Sequence, residues 1–389
     1  MRTALEVVFW VSAGSIVWTQ VGYPLAIFLI ASLLARAPRA PSRRGARPDD
    51  RPAPSVSLIV AAHDEEAVIG AKVENALALR YPRELLEVIV ACDGCDDATA
   101  QRAHAAGAEV VLELPRAGKI AAQDAAVRRA RGEIVAFSDA NALWEPDALR
   151  ELVAAFADAR VGYACGRVRF AQASAGAHAT NQEGVYWRYE MALRERESRL
   201  RSITAGNGAI YATRRDSYIV VDPIMGHDLS FPFNMVKRKW RAVDVPRARA
   251  SEKMVPSIEG EWRRKRRMMS HTWPIVVRGG MLSPRGYTLG YALMIFSHRL
   301  LRYLTPFLHL LALAANVALV AGGAGAIYTA TLVPQLVVLA AAGLGGVLAL
   351  RPLLIARYYV LTAASPAAGL WDWLRHGTTA SWQAAEGTR

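Results

Sequence analysis

Cysteine is scarce, with three in 389 residues, and that scarcity excludes a disulfide framework. Cys92 and Cys95 form a Cys-x-x-Cys, but no second pair exists to complete a zinc ribbon, so both are expected to be small strand-end residues. Acidic charge is also short: 34 Asp and Glu stand against 47 Lys and Arg, a formal net charge of +13. No nucleic-acid reading module or aromatic-basic sheet pattern accompanies that excess, so no nucleic-acid partner is expected; attraction to anionic lipid heads accounts for it more simply. Charge of either sign is missing altogether from Val7 to Ala35 and from Leu304 to Leu350.

Roughly 20 apolar residues span a bilayer, and both uncharged stretches exceed that. Residues 1–35 are therefore expected to be a retained N-terminal transmembrane helix, since a cleaved leader would have a shorter apolar core behind a basic start. Residues 36–54, rich in Pro and Arg, form a linker whose basic charge favours the cytoplasm. In the C-terminal part, "GGAGA" at 322–326 divides the apolar run, so two or three membrane helices are expected over 304–371, followed by a tail at 372–389. Between them and the middle of the chain, residues 291–303 carry His298, Arg299 and Arg302 among Leu, Ile and Phe, the composition of an interfacial amphipathic helix.

The middle, residues 55–290, alternates strand-like and helical patterns, as a parallel α/β domain does. A first strand is expected over Val56–Ala62, ending on His63, Asp64 and Glu65, with a helix from about Ala67 to Leu79. A second strand, Glu87–Ala91, ends on Asp93 and Gly94, with Asp97 placed to start the next helix. Gly118 and Lys119 precede a further helix, and the strand Ile134–Phe137 runs out on Asp139, Ala140 and Asn141. Ligands of open parallel sheets bind at the carboxyl ends of the strands, so Asp64, Asp93 and Asp139 are expected to share one crevice. A sugar nucleotide suits it: Asp139 can hold a divalent cation beside a diphosphate, Asn141 can add a carbonyl oxygen, Lys119 supplies compact positive charge, and Asp93 can accept from base or ribose.

These motifs, in this order, resemble the membrane-integrated family 2 glycosyltransferases, the group of cellulose, chitin and hyaluronan synthases and bacterial exopolysaccharide transferases. "AHDEE" resembles the opening A-Y-N-E-E, "CDGCDDAT" the S-D-G-S-T-D nucleotide segment, and "AGKIAAQDAAVRRARGEIVAFSDAN" the stretch from the diphosphate lysine to D-x-D. The resemblance covers about Ser55 to Ser270. It implies a GT-A-like, Rossmann-like α/β domain inserted between N- and C-terminal transmembrane helices, integral to the plasma (inner) membrane with the catalytic domain cytoplasmic. It further implies Mg2+ or Mn2+ as cofactor, a UDP-linked donor, and a donor-binding set of Asp64, Glu65, Asp93, Lys119, Asp139, Arg264 and Arg267, with the metal on Asp139 and Asn141.

Downstream, "TAGNGAIYATRR" is similar to the acceptor-side glycine segment, placing Gly206, Asn207 and Gly208 near the acceptor, and "MGHDLSFP" matches the T-E-D position, which makes Asp228 the candidate general base and puts His227 beside it. A helix cap is the other reading of Asp228. In "EGEWRRKRRMMSHTW", Arg264 and Arg267 share a helical face toward a leaving diphosphate, while Arg263 and Arg266 turn to the membrane surface. Three departures stand out: Asn141 replaces the second acid of D-x-D, His227 replaces an acid of T-E-D, and the tryptophan of Q-x-x-R-W is missing, which lowers the expectation of long processive synthesis. The expected activity is inverting transfer of a hexose or N-acetylhexosamine to a saccharide or lipid-linked acceptor in polysaccharide biosynthesis. Alternatives are a polyprenyl-phosphate acceptor, or a catalytically silent scaffold bound to export-complex proteins.

Overall fold

A computed structural model describes residues 1–36, 52–171, 180–253 and 258–380. Most of the expected linker, residues 37–51, and the end of the tail lie outside the described residues. The chain opens on α1 (Arg2–Val17) and α2 (Tyr23–Arg36), joined through a π-helical turn at Trp18–Gly22. The α/β region follows: β1 (Val56–Ala62), α3 (Ile69–Leu77), β2 (Leu86–Asp93), α4 (Thr99–Ala105), β3 (Val110–Leu114), α5 (Lys119–Arg129), β4 (Ile134–Asp139), β5 (Leu143–Trp144), α6 (Ala148–Ala154), β6 (Val161–Ala171), α7 (Thr180–Leu200), β7 (Ile210–Arg214), α8 (His227–Lys237), β8 (Arg241–Lys253) and α9 (Ile258–Val277). It ends on α10 (Leu289–Met294), α11 (Leu301–Ala321), α12 (Ala326–Leu344) and α13 (Arg351–His376).

The sheet has eight strands in the order β3-β2-β1-β4-β7-β6-β8-β5. Its first half is parallel, as the alternating pattern predicts, and every residue of β1 and β2 is buried, which explains their unbroken runs of Val, Ile and Ala. The second half corrects the expectation of a parallel domain: β4 pairs with β7 and β7 with β6 in antiparallel fashion, and β6 pairs with β8 in parallel. The reason is connectivity. Long α7 separates β6 from β7 in sequence, so a strand pattern read locally carries no direction for the return.

A buried ion pair fixes this second half. Arg194 of α7, 1% exposed, donates to Asp244 of β8 at 2.8 Å and to the carbonyl of Gly166 at 2.7 Å. Asp244 also accepts from Arg167 of β6 at 2.5 Å, and its side chain is fully buried. One carboxylate thereby ties three elements together.

Among the described residues, four helices are long and apolar enough to cross a membrane: Arg2–Leu34, Leu289–Ala321, Ala326–Leu344 and Arg351–His376. The turn expected at "GGAGA" is present, with Gly323 at φ +69 between α11 and α12. Residues 291–303 differ from the interfacial helix expected there. They run without a break through a π-helical turn at Ile295–Leu300 into α11, and their cations point inward. His298 meets Glu197 at 2.6 Å and Glu190 at 3.1 Å, and Arg302 meets Glu190 at 2.6 Å. Both glutamates sit on α7, more than ninety residues upstream, so the local pattern showed cations without their partners.

Removing one partner of a buried ion pair leaves the other charge uncompensated, which costs about 3–5 kcal/mol. Asp244→Ala is therefore expected to destabilise the α/β region by about 3–5 kcal/mol, read as a lowered melting temperature in detergent; a variant that melts with the wild type would contradict the role of the pair.

Candidate active site

The ends of β2, β1 and β4 lie side by side, Ala61 pairing with Ala91 on one side and Asp139 on the other. This brings Asp64, Asp93 and Asp139 to one edge of the sheet. Asp93, 1% exposed, accepts from the backbone amides of Ala117 at 2.7 Å and Gly118 at 3.0 Å. Gly118 stands at φ +99, a conformation glycine tolerates and other residues resist. Asp93 thus moulds the turn in front of α5 and sets the direction in which Lys119, the first residue of that helix, leaves it.

Lys119 Nζ pairs with the carboxylate of Asp139. Burial works to lower the lysine's pKa, but Asp139 outweighs it and holds the value above the ordinary one, so the ammonium stays charged. Gly208 lies against the same group: a side chain there would place its Cβ 3.3 Å from Nζ. The glycine segment expected on the acceptor side therefore reaches the lysine expected on the donor side.

Asp228 sits in the first turn of α8, and its main-chain oxygen accepts from the amide of Gly206 at 2.7 Å. Burial pushes its carboxyl pKa up, Lys119 opposes that shift, and Asp139 adds to it. A carboxylate that feels both members of the Lys119–Asp139 pair shares their pocket. Its raised pKa also makes it a stronger base than a solvated aspartate.

The remaining expected residues divide. Asp64 accepts from the amide of Asp96 at 2.9 Å and lies 3.5 Å from His63, on the β1–β2 side of the crevice. Glu65 is 3% exposed, and its backbone carbonyl receives the amides that start α3. Asn207 is committed to its own loop, donating to the Gly166 carbonyl at 2.7 Å and accepting from Ile210 at 3.0 Å. His227 is buried among Phe137, Tyr211, Tyr218 and Phe231, bonded to the Tyr211 hydroxyl at 2.7 Å. Burial and then Lys119 push its pKa well below the usual histidine range, so it adds no charge. Asn141 occupies the turn after β4, beside buried Ala140. Arg264 pairs with Glu261 at 2.7 Å and also acts on Glu252, while Arg267 is close enough to shift His271, which in turn feels Asp228. Arg266 points away, bound by two 2.6 Å bonds to Asp372 of α13. Past α13, Thr378 donates to Ser270 at 2.9 Å and Ala380 crosses Gly118 so closely that a Cβ there would lie 2.2 Å from its carbonyl.

Two residues of this pocket escape a reading of the sequence. Lys72 of α3 is fully buried, donates to the Ala142 carbonyl at 2.6 Å and so anchors the loop after Asp139. Its burial lowers its pKa to about 7. The signal was there: Lys72 takes a core-phase position between Ile69, Val73 and Ala76. Glu252 follows Ala248 and Ala250 on the inward face of β8, and its Oε1 is buried with no hydrogen-bond partner among the described residues. Burial first, then Asp139, push its pKa up to about 7, against Lys119, Arg264 and Lys72. An orphaned carboxylate oxygen near Asp139 fits a divalent cation, because both supply hard oxygens and a cation would compensate the charge that burial penalises. Asp139 and Glu252 are thus the pair that could hold it.

Residues 52–270 match the family described as glycosyltransferase like family 2. Among curated proteins, beta-monoglucosyldiacylglycerol synthase of Synechocystis sp. is 32% identical over 161 residues, which cover 40% of this chain and 33% of that protein, so the chain spans about a third of its relative's length. Among solved structures, a mannosyltransferase of Pyrobaculum calidifontis in complex with GDP-Man and Mn2+ aligns with a TM-score of 0.68 at 21% identity, over 96% of this chain and 99% of that one. At that identity the likeness is one of fold.

The raised pKa of Glu252 has a sign. The folded protein binds a proton there that the unfolded chain releases at the ordinary value of 4.5, so stability falls as pH rises from 4.5 to about 7. Without divalent ions, the wild type is expected to lose more melting temperature over that window than Glu252→Gln. Parallel curves for the two proteins would contradict the placement of Glu252.

Proposed function

The chain belongs to glycosyltransferase like family 2, and we propose that it moves a hexose or N-acetylhexosamine from a nucleoside-diphosphate sugar to a hydroxyl of an acceptor carried on a membrane lipid, with inversion at the anomeric carbon. The observation that carries this reading is the shared pocket of Asp228, Lys119 and Asp139. Asp228 takes the proton of the acceptor hydroxyl while the oxygen attacks the anomeric carbon; the bond to the diphosphate breaks in the same displacement. Lys119 meets the phosphate charge, and Arg264 and Arg267 of α9 lie on the path by which it leaves. Asp139 and Glu252, with Asn141 beside them, would hold Mg2+ or Mn2+, which supplies charge neutralisation to the diphosphate when bound.

The lipid-borne acceptor rests on packing. Leu229 and Phe233 of α8, the helix that carries Asp228, belong to one apolar cluster with Tyr23 and Ile27 of α2 and with Tyr291, Met294 and Ile295 at the start of the second long apolar helix. An acceptor held in the bilayer surface is thereby delivered beside the base. The match to a synthase of a glucosylated diacylglycerol supports the same direction. A polyprenyl phosphate is the weaker reading, because an acceptor already ionised has no use for a carboxylate whose basicity burial has raised. Nucleotide sugars are made in the cytoplasm, so residues 55–290 face it, in keeping with the arginine-rich linker. The lipid-linked acceptor would enter polysaccharide biosynthesis, with export-complex proteins as further partners.

Membranes containing the protein, supplied with labelled UDP- and GDP-sugars in turn, are expected to transfer one of them into material that partitions into organic solvent. Asp228→Asn should lower kcat by about 10²-fold or more and leave donor affinity nearly unchanged. Transfer at the wild-type rate in that variant, or a product confined to the aqueous phase, would overturn this reading.

A further inference from the structure

Although cysteine is scarce, one of the three stands in chemically informative company. The sulfur of Cys95, an imidazole nitrogen of His63 and a carboxylate oxygen of Asp64 all lie within 4.8 Å of one another at the ends of β1 and β2. His63 Nδ1 is 2.8 Å from the main-chain oxygen of Asp93. A carbonyl oxygen only accepts, so Nδ1 carries a proton and Nε2 is the nitrogen turned toward the cluster. That nitrogen faces Asp64 Oδ2 across 3.5 Å. A cation placed between this ring nitrogen and this carboxylate oxygen would draw on both as ligand atoms. A carbonyl that orients the far nitrogen is also the usual partner of a metal-binding histidine. Asp64 is held at φ +51, with Oδ1 receiving the Asp96 amide, which directs Oδ2 to His63.

We propose that His63, Asp64 and Cys95 form a binding site for one zinc-class divalent ion, separate from the hard-cation position at Asp139 and Glu252. Nitrogen, oxygen and sulfur in one set suit a borderline-soft ion, which takes them at about 2.0–2.3 Å and keeps a fourth position open. Drawing the three inward requires a short movement of Asp64, whose side chain is 36% exposed. Magnesium favours oxygen ligands and gains nothing from a thiolate. The crevice thus sorts two metals by softness, and the ion on the β1–β2 side ties the two strand ends together. Counting cysteines excluded zinc because only one Cys-x-x-Cys is present; the remaining ligands come from a different strand and from other residue types.

The test reads metal binding directly and is independent of the transferase reading. The full chain in detergent, stripped with a chelator, is titrated with Co2+ and followed by absorption. A thiolate-to-cobalt charge-transfer band with the visible bands of four-coordinate Co2+ is expected, bleached by equimolar Zn2+ and untouched by a large excess of Mg2+. Cys95→Ser should lose the charge-transfer band, and His63→Gln should weaken Co2+ binding by about tenfold or more. Absence of the band in the wild type, or its survival in Cys95→Ser, would overturn the proposal. Should Cys95→Ser fail to fold, alkylation of wild-type Cys95 followed by mass spectrometry serves instead: Zn2+ is expected to slow it while Mg2+ does not, and equal rates would overturn the site.

Discussion

A lysine and an aspartate that meet at the carboxyl end of one strand, Lys119 with Asp139, are the contact on which the rest of this molecule depends. Two charges drawn partly out of water hold their positions only if each remains compensated. Lys119 and Asp139 compensate each other in this way. On the proposed function, a diphosphate with its cation would offer a second arrangement, with phosphate on Lys119 and the cation on Asp139. The neighbouring groups would bias such an exchange. Glu252 would supply a second anion for the cation, Lys72 stiffens the loop behind Asp139, and Asp93 fixes the turn from which Lys119 emerges.

The same pocket is joined to the apolar helices through a chain of buried polar contacts. Glu197 of α7 accepts from Tyr23 of α2 at 2.5 Å, from Thr204 at 3.0 Å and meets His298 at 2.6 Å, while Arg299 donates to Thr204 at 2.9 Å. Thr204 begins the segment that carries Gly206 and Gly208, and Gly206 bonds to Asp228. The apolar helices, the 204–208 loop and Asp228 are therefore one connected unit. Such a network is costly unless every member is satisfied; this gives the chain a reason to keep His298, Arg299 and Arg302 on a helix that is otherwise apolar.

The meeting of the strand-end acids was legible in the sequence because the signal is local. Strands end where apolar runs stop, so Asp64, Asp93 and Asp139 announced themselves, and parallel pairing of β2, β1 and β4 then placed them together. Lys119 followed from the glycine before a helix. What stayed hidden depends on contacts distant in sequence. Glu252 enters from β8, and nothing in its neighbourhood shows that it approaches Asp139. The cations of residues 291–303 looked solvated because their glutamates belong to α7. His227 looked functional by position, yet an aromatic cage makes it part of the core. The antiparallel return of β7 likewise left no mark on the local pattern.

If a donor binds as proposed, it replaces the Lys119–Asp139 pair and leaves Asp139 in need of a cation. Calorimetric titration of the purified protein with a nucleoside diphosphate, with and without Mn2+, tests it most directly. The account predicts binding about tenfold or more tighter with Mn2+, and loss of that gain in Asp139→Ala. Equal affinity in the presence and absence of Mn2+, unchanged by Asp139→Ala, would contradict it.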